Sequence, residues 1–208
     1  MRVTYGQSVH GKKEISAVLK VLNTSTQMGK NVIKLENKIA KSFEKKYGIM
    51  LNSASSALML IFEALNLPKN SEVVTPALTF GTTISSIVKN GYLPALVDVT
   101  TDTYCIDVDL IEKKINKKTK AICVPNLIGN IPDWKKIRSV ARKYNLIVIE
   151  DSADTLGSKI NGIPTGHYTD VSITSFYGSH IINGAGNGGM LCVNNKKLYE
   201  KILLLRSW

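Results

Sequence analysis

A chain of 208 residues, 44% of them hydrophobic, can bury a sizeable core; disorder is excluded, and one domain, or one domain and part of another, is expected. Its formal charge of +11 would suit a nucleic-acid binder, but the lysines spread over amphipathic helices instead of gathering into one patch with interleaved aromatics, so no nucleic-acid partner is expected. The longest apolar-leaning run, 54–67, is interrupted by Ser55, Ser56, Glu63 and Asn66 and is too short for a membrane span, and the N-terminus lacks the apolar core of a secretory signal, which points to a cytoplasmic protein with no membrane partner.

Ile15, Val18, Leu19 and Leu22 fall at helical spacing in 12–22, giving a short amphipathic helix. A polar turn leads to a second, longer helix with Val32, Leu35, Ile39, Ala40 and Phe43 on one face, expected to stop near Gly48. Residues 49–51 form a short strand that opens directly into the Ser-rich start of a helix reaching about Leu65. Free backbone N–H groups at such a helix start, together with serine hydroxyls, suit an anion, although serine is also an ordinary cap. Further strands are expected at 72–75, 93–97, 121–124, 146–151, 171–175 and 190–193. Helices are expected to about Lys89, at 109–115, at 133–144 and from Lys196. This strand–helix alternation predicts an α/β fold, a three-layer α/β/α arrangement with a mostly parallel sheet covered on both faces.

The sheet's most informative segment is 146–190. An apolar run ending in Glu150 and Asp151 reads as a strand buried on both faces that surfaces at the C-terminal edge of a parallel sheet, where ligands bind. Ser175 and His180 follow the next strand, so Asp151, Asp154, Ser175 and His180 can converge with the anion site at 53–56 and with Phe80. A planar, phosphorylated cofactor with a ring nitrogen would use this set: a cradle for phosphate, an aromatic to stack, and a buried acid to keep the nitrogen protonated. Each residue also has a plain reading, Phe80 as core packing, Asp154 as a cap and His180 as a satisfied structural histidine. No metal is expected, because His10 and His167 have no ligand at close spacing and Cys105, Cys123 and Cys192 are widely separated in apolar runs.

Several ordered motifs then resemble one family. They are 25–29 with Glu36, Asn52-Ser53-Ala54-Ser55-Ser56-Ala57-Leu58, Thr75-Pro76-Ala77-Leu78-Thr79-Phe80, 127–130, Glu150-Asp151-Ser152-Ala153-Asp154-Thr155-Leu156-Gly157 and Thr174-Ser175-Phe176-Tyr177. Nearly the whole chain is similar to the DegT/DnrJ/EryC1/StrS group of pyridoxal-phosphate enzymes acting on nucleotide-linked keto-sugars. The resemblance implies the aspartate-aminotransferase type of fold (fold type I), with pyridoxal or pyridoxamine 5'-phosphate as cofactor. It places the cofactor's phosphate at Ala54, Ser55 and Ser175, stacking at Phe80, a ring-nitrogen contact at Asp151 and a contact near the cofactor's hydroxyl at Asp154. It also implies a nucleotide-diphosphate keto-sugar substrate and a homodimer.

Most members carry a Schiff-base lysine five residues after the motif serine, and here that position holds His180. Imidazole forms no internal aldimine but moves protons near neutral pH. The substitution resembles the 3-dehydratase branch that acts on GDP-4-keto-6-deoxymannose, with His180 as catalytic acid/base. Ala153 stands where relatives holding an iron–sulfur cluster place a cysteine, so a cluster is disfavoured. The alternatives are a sugar aminotransferase served by another lysine such as Lys159, and a non-catalytic sugar-nucleotide-binding homologue. Residues 1–208 read as an N-terminal segment plus the large cofactor-binding domain, with a C-terminal small domain missing after the helix that starts at Lys196.

Overall fold

A computed structural model describes Val3 and residues 6–206. Seven strands form one mixed sheet: β1 (Tyr47–Leu51), β2 (Glu72–Pro76), β3 (Leu93–Val97), β4 (Thr119–Pro125), β5 (Ile147–Ser152), β8 (Val171–Ser175) and β9 (Gly189–Val193). A two-residue hairpin, β6 (Lys159–Ile160) and β7 (Ile163–Pro164), stands apart from it. The spatial order is β1-β9-β8-β5-β4-β2-β3, with β9 antiparallel to both neighbours and every other pair parallel. The helices are α1 (Lys12–Thr24), α2 (Lys30–Ser42), α3 (Ala54–Leu65), α4 (Gly81–Lys89), α5 (Val108–Lys114), α6 (Trp134–Tyr144) and α7 (Lys196–Arg206).

Of three apolar clusters among the described residues, two lie on opposite faces of the sheet's central strands and the third packs Ile39, Ala40 and Phe43 at the end of α2 with Met190 and Cys192 of β9. Ala121, Cys123 and Ile149 pack with Leu58, Ile61 and Phe62 of α3 and Ile87 of α4. Ile122, Val124 and Val148 pack on the other side with Trp134 and Ile137 of α6. Successive residues of β4 and β5 therefore bury on opposite faces, so these strands read as unbroken apolar runs and not as alternation. The three-layer fold with a mostly parallel sheet is the one expected. All three cysteines are free and buried, and no helix among the described residues is long and apolar enough to cross a membrane.

The end of α2 departs from expectation. Gly48 is not a cap; it lies inside β1, opposite Cys192. The chain turns earlier, at Glu44 with φ of 53°, where the N–H of Lys45 bonds the carbonyl of Ala40 and that of Glu44 bonds Lys41. Gly48 instead permits contact between strand and helix, since a Cβ there would lie 2.4 Å from the Glu36 carbonyl oxygen. Glu36 clips this edge strand by accepting the Met50 N–H at 2.8 Å and an Arg206 Nη1 hydrogen bond at 3.1 Å.

Candidate active site

The strand ends build the floor of a cavity. Asp151 shares a face of β5 with Ile149 and is 5% exposed. Thr83 of α4 donates to its Oδ2 at 3.2 Å and the Ala153 N–H to its Oδ1 at 3.2 Å. Burial pushes its carboxyl up to about 6, against the opposing pull of these two donors and with the Asp154 and Glu150 charges adding to the rise. A cation placed over this carboxylate would relieve the penalty.

Ser53 caps α3 by accepting the Ser56 N–H at 3.1 Å, which leaves the N–H groups of Ala54 and Ser55, first in the helix, without intrahelical partners. Ser175 sits one pleat beyond Ile173, the register partner of Asp151. Its hydroxyl oxygen accepts the Tyr177 N–H at 3.2 Å, so its own O–H is free to donate. Gly189 lets β9 press on the start of α3, because a Cβ there would lie 2.3 Å from the Ala54 nitrogen. Free amides, a free hydroxyl and the positive end of a helix dipole make a donor set suited to phosphate.

The walls carry the remaining side chains. Phe80 caps α4 and is 72% exposed, which excludes the core-packing reading and leaves an aromatic face open at the mouth. His180 Nε2 lies 3.6 Å from Asp154 Oδ1, and its ring meets Tyr177 edge-on at 5.7 Å. His180 Nδ1 is buried without a partner, as is the Thr79 hydroxyl.

Ala54, Ser55, Phe80, Asp151, Asp154, Ser175 and His180 all line a single cavity of about 840 Å³. No lysine among the described residues lines it, and Lys159 is exposed on the separate hairpin. The donors, the buried acid, the open aromatic and the unpartnered Nδ1 fit a pyridoxal-type cofactor, and among the described residues no group of His, Cys, Asp and Glu suits a metal ion.

Sequence reasoning missed Thr83 and Asn126. Thr83 lies in the first turn of α4, and no local pattern in the sequence marks it. Asn126 follows Pro125, the register partner of Asp151, so the strand-end rule that found Asp151 also points to it. Its amide donates to Glu150 at 3.0 Å and to Ser152 at 2.7 Å, and it accepts the Trp134 indole N–H at 2.9 Å.

Residues 9–208 match the DegT/DnrJ/EryC1/StrS aminotransferase family. GDP-perosamine synthase of Escherichia coli O157:H7 is 37% identical over 84% of this chain and 48% of its own length. GDP-4-keto-6-deoxy-D-mannose 3-dehydratase of Yersinia pseudotuberculosis is 30% identical over 96% of this chain and 52% of its own. The structure of the E. coli enzyme of that activity, with bound hydrated pyridoxal phosphate, superposes with a TM-score of 0.89 at 28% identity, covering 98% of this chain and 54% of that one. The chain thus spans about half the length of the curated relatives it matches. It belongs to the DegT/DnrJ/EryC1/StrS family of pyridoxal-phosphate-dependent sugar aminotransferases and dehydratases.

Proposed function

We propose that the protein is a pyridoxamine-phosphate-dependent 3-dehydratase of a nucleotide-activated 4-keto-6-deoxyhexose. The observation that carries this reading is an imidazole, with no lysine among the described residues, on the cavity that buries Asp151. When bound, the cofactor supplies an amine that takes up the sugar's ketone and a ring that accepts electrons. Ala54 and Ser55 amides and the Ser175 hydroxyl hold its phosphate, and Phe80 covers its ring. Asp151 keeps the ring nitrogen protonated, and the ion pair offsets the burial of its carboxylate. His180 would carry the proton, taking it up at the reacting carbon and returning one to the departing C3 hydroxyl. Without a covalent anchor, retention rests on the phosphate contacts and on stacking.

A second copy of the chain is the proposed partner. The apolar face of α1 supports it, with Ile15 49% and Leu22 60% exposed and no buried residue in the helix.

The second reading, a sugar aminotransferase, is favoured by the higher identity to the perosamine synthase, but it needs a lysine at the cavity. Incubating the purified protein with pyridoxamine phosphate, an amino donor and GDP-4-keto-6-deoxymannose separates the readings by product. A 3-deoxy sugar supports the dehydratase, an amino sugar replaces it with the aminotransferase, and binding without turnover replaces both with a non-catalytic homologue.

A further inference from the structure

Two oxygens of one carboxylate do different things at the cavity wall. Asp154 Oδ2 accepts the Ile128 N–H at 2.9 Å, and Oδ1 stands 3.6 Å from His180 Nε2. The donor is held at a cost: Ile128, in the middle of the 3-10 turn Leu127–Gly129, has φ of 50° and ψ of 24°. A β-branched residue in the left-handed region is strained. Its side chain is 68% exposed, so packing does not explain the conformation, whereas the hydrogen bond to Asp154 is a return on it.

His180 has few other constraints. Its Nδ1 is buried with no partner, its backbone N–H closes a turn onto Tyr177 at 3.0 Å, and the ring otherwise rests edge-on against Tyr177. Among the described residues the other histidine–carboxylate pair, His167 with Glu44, has side chains 54% and 46% exposed and lies outside the cavity. The corresponding values for His180 and Asp154 are 22% and 36%. The secluded pair faces the ligand site and the other faces solvent.

From this geometry we infer that Asp154 is the positioning residue for His180. With Asp154 pinned by the Ile128 amide, its free oxygen receives the N–H that Nε2 carries, which fixes the ring and its tautomer and leaves the lone pair of the unpartnered Nδ1 to take the proton. The charges balance in that step. A C–H bond breaks and leaves its electron pair on carbon, an N–H bond forms, and the imidazolium cation is neutralised by the carboxylate beside it. The inference rests on His180 being the proton carrier, and it gives Asp154 a role toward a protein side chain in addition to the cofactor contact that family likeness implies.

Nitrogen-15 NMR of the three imidazoles tests the pairing in the protein without cofactor or substrate, the His180 signals being assigned by their loss in His180→Asn. At a pH where the ring is protonated, the wild type is expected to show a downfield, exchange-protected Nε2–H that is lost in Asp154→Ala and kept in Asp154→Glu. With cofactor and keto-sugar, Asp154→Ala is expected to lower kcat roughly 10- to 100-fold with KM for the sugar within about twofold, and Asp154→Glu to restore most of it. An Nε2–H signal indifferent to Asp154→Ala, or a KM increase with kcat unchanged, would overturn the inference. Full turnover by His180→Asn would overturn the proposed function and the catalytic half of the inference together, while the NMR result still decides whether the pair exists.

Discussion

Glu150 and Asp151 are neighbours on one strand, equally out of water, and they differ in how completely they are satisfied. Glu150 faces α6, and its two oxygens accept hydrogen bonds from Asn126, Ser152, Thr165, Ser172 and Thr169. The Lys45 ammonium, pushed down to about 8 by burial, braces the same turn through the carbonyls of Gly166 and Thr169. Asp151 faces α3 and α4, accepts two hydrogen bonds, and opens onto the cavity. A buried carboxylate with a full set of donors serves the architecture, and one left short of donors is reserved for a ligand.

The largest expected effect is on the architectural side. Glu150→Ala removes the acceptor that five donors share in a closed network and should cost about 3–5 kcal/mol of unfolding free energy, measured by urea titration. A loss under about 1 kcal/mol would mean that the network is not holding β4, β5 and β8 together.

On the functional side the sign reverses. The folded protein keeps the Asp151 proton up to about pH 6, whereas an ordinary carboxyl releases it near 3.8. Between those values the folded state binds more protons than the unfolded one, so this group's stabilisation is present below pH 4 and is lost as pH rises through 6. Asp151→Asn keeps the shape and removes that dependence. At pH 7 the unliganded variant should unfold at up to about 3 kcal/mol more than the wild type, the difference should vanish near pH 4, and turnover should fall by orders of magnitude. Equal stability at both pH values would put the wild-type carboxylate in an easier environment than the structure gives it.

Smaller changes sharpen the same contrast. Ser175→Ala removes one donor from the proposed phosphate site and should weaken cofactor retention roughly 10- to 100-fold by fluorescence titration, with little effect on unliganded stability. Phe80→Ala should weaken retention by up to about tenfold and leave the melting temperature unchanged, since the ring is exposed. A marked drop in melting temperature would return Phe80 to the core.

The parallel sheet and the strand-end residues were legible because burial on both faces leaves apolar runs whose polar tips mark one edge. Asp151, Ser175 and His180 follow from that rule alone. Thr83 did not, because its contact with Asp151 joins α4 to β5 across 68 positions, a distance over which local pattern carries no signal. The division of labour between Glu150 and Asp151 was hidden for a related reason: alternation places them on opposite faces, but which face is open depends on where α3, α4 and α6 pack. Gly48 misled because a glycine after a helix usually marks its cap, whereas here Glu44 takes the left-handed position and Gly48 makes room for α2 against β1.

The claim under all of this is that the cofactor is held in the Asp151 cavity without a covalent bond to the chain. Borohydride reduction of the protein saturated with pyridoxal phosphate, followed by mass spectrometry, tests it most directly. The account predicts an intact chain free of stoichiometric pyridoxyl adduct, with the cofactor released on denaturation; one lysine labelled to completion would contradict it.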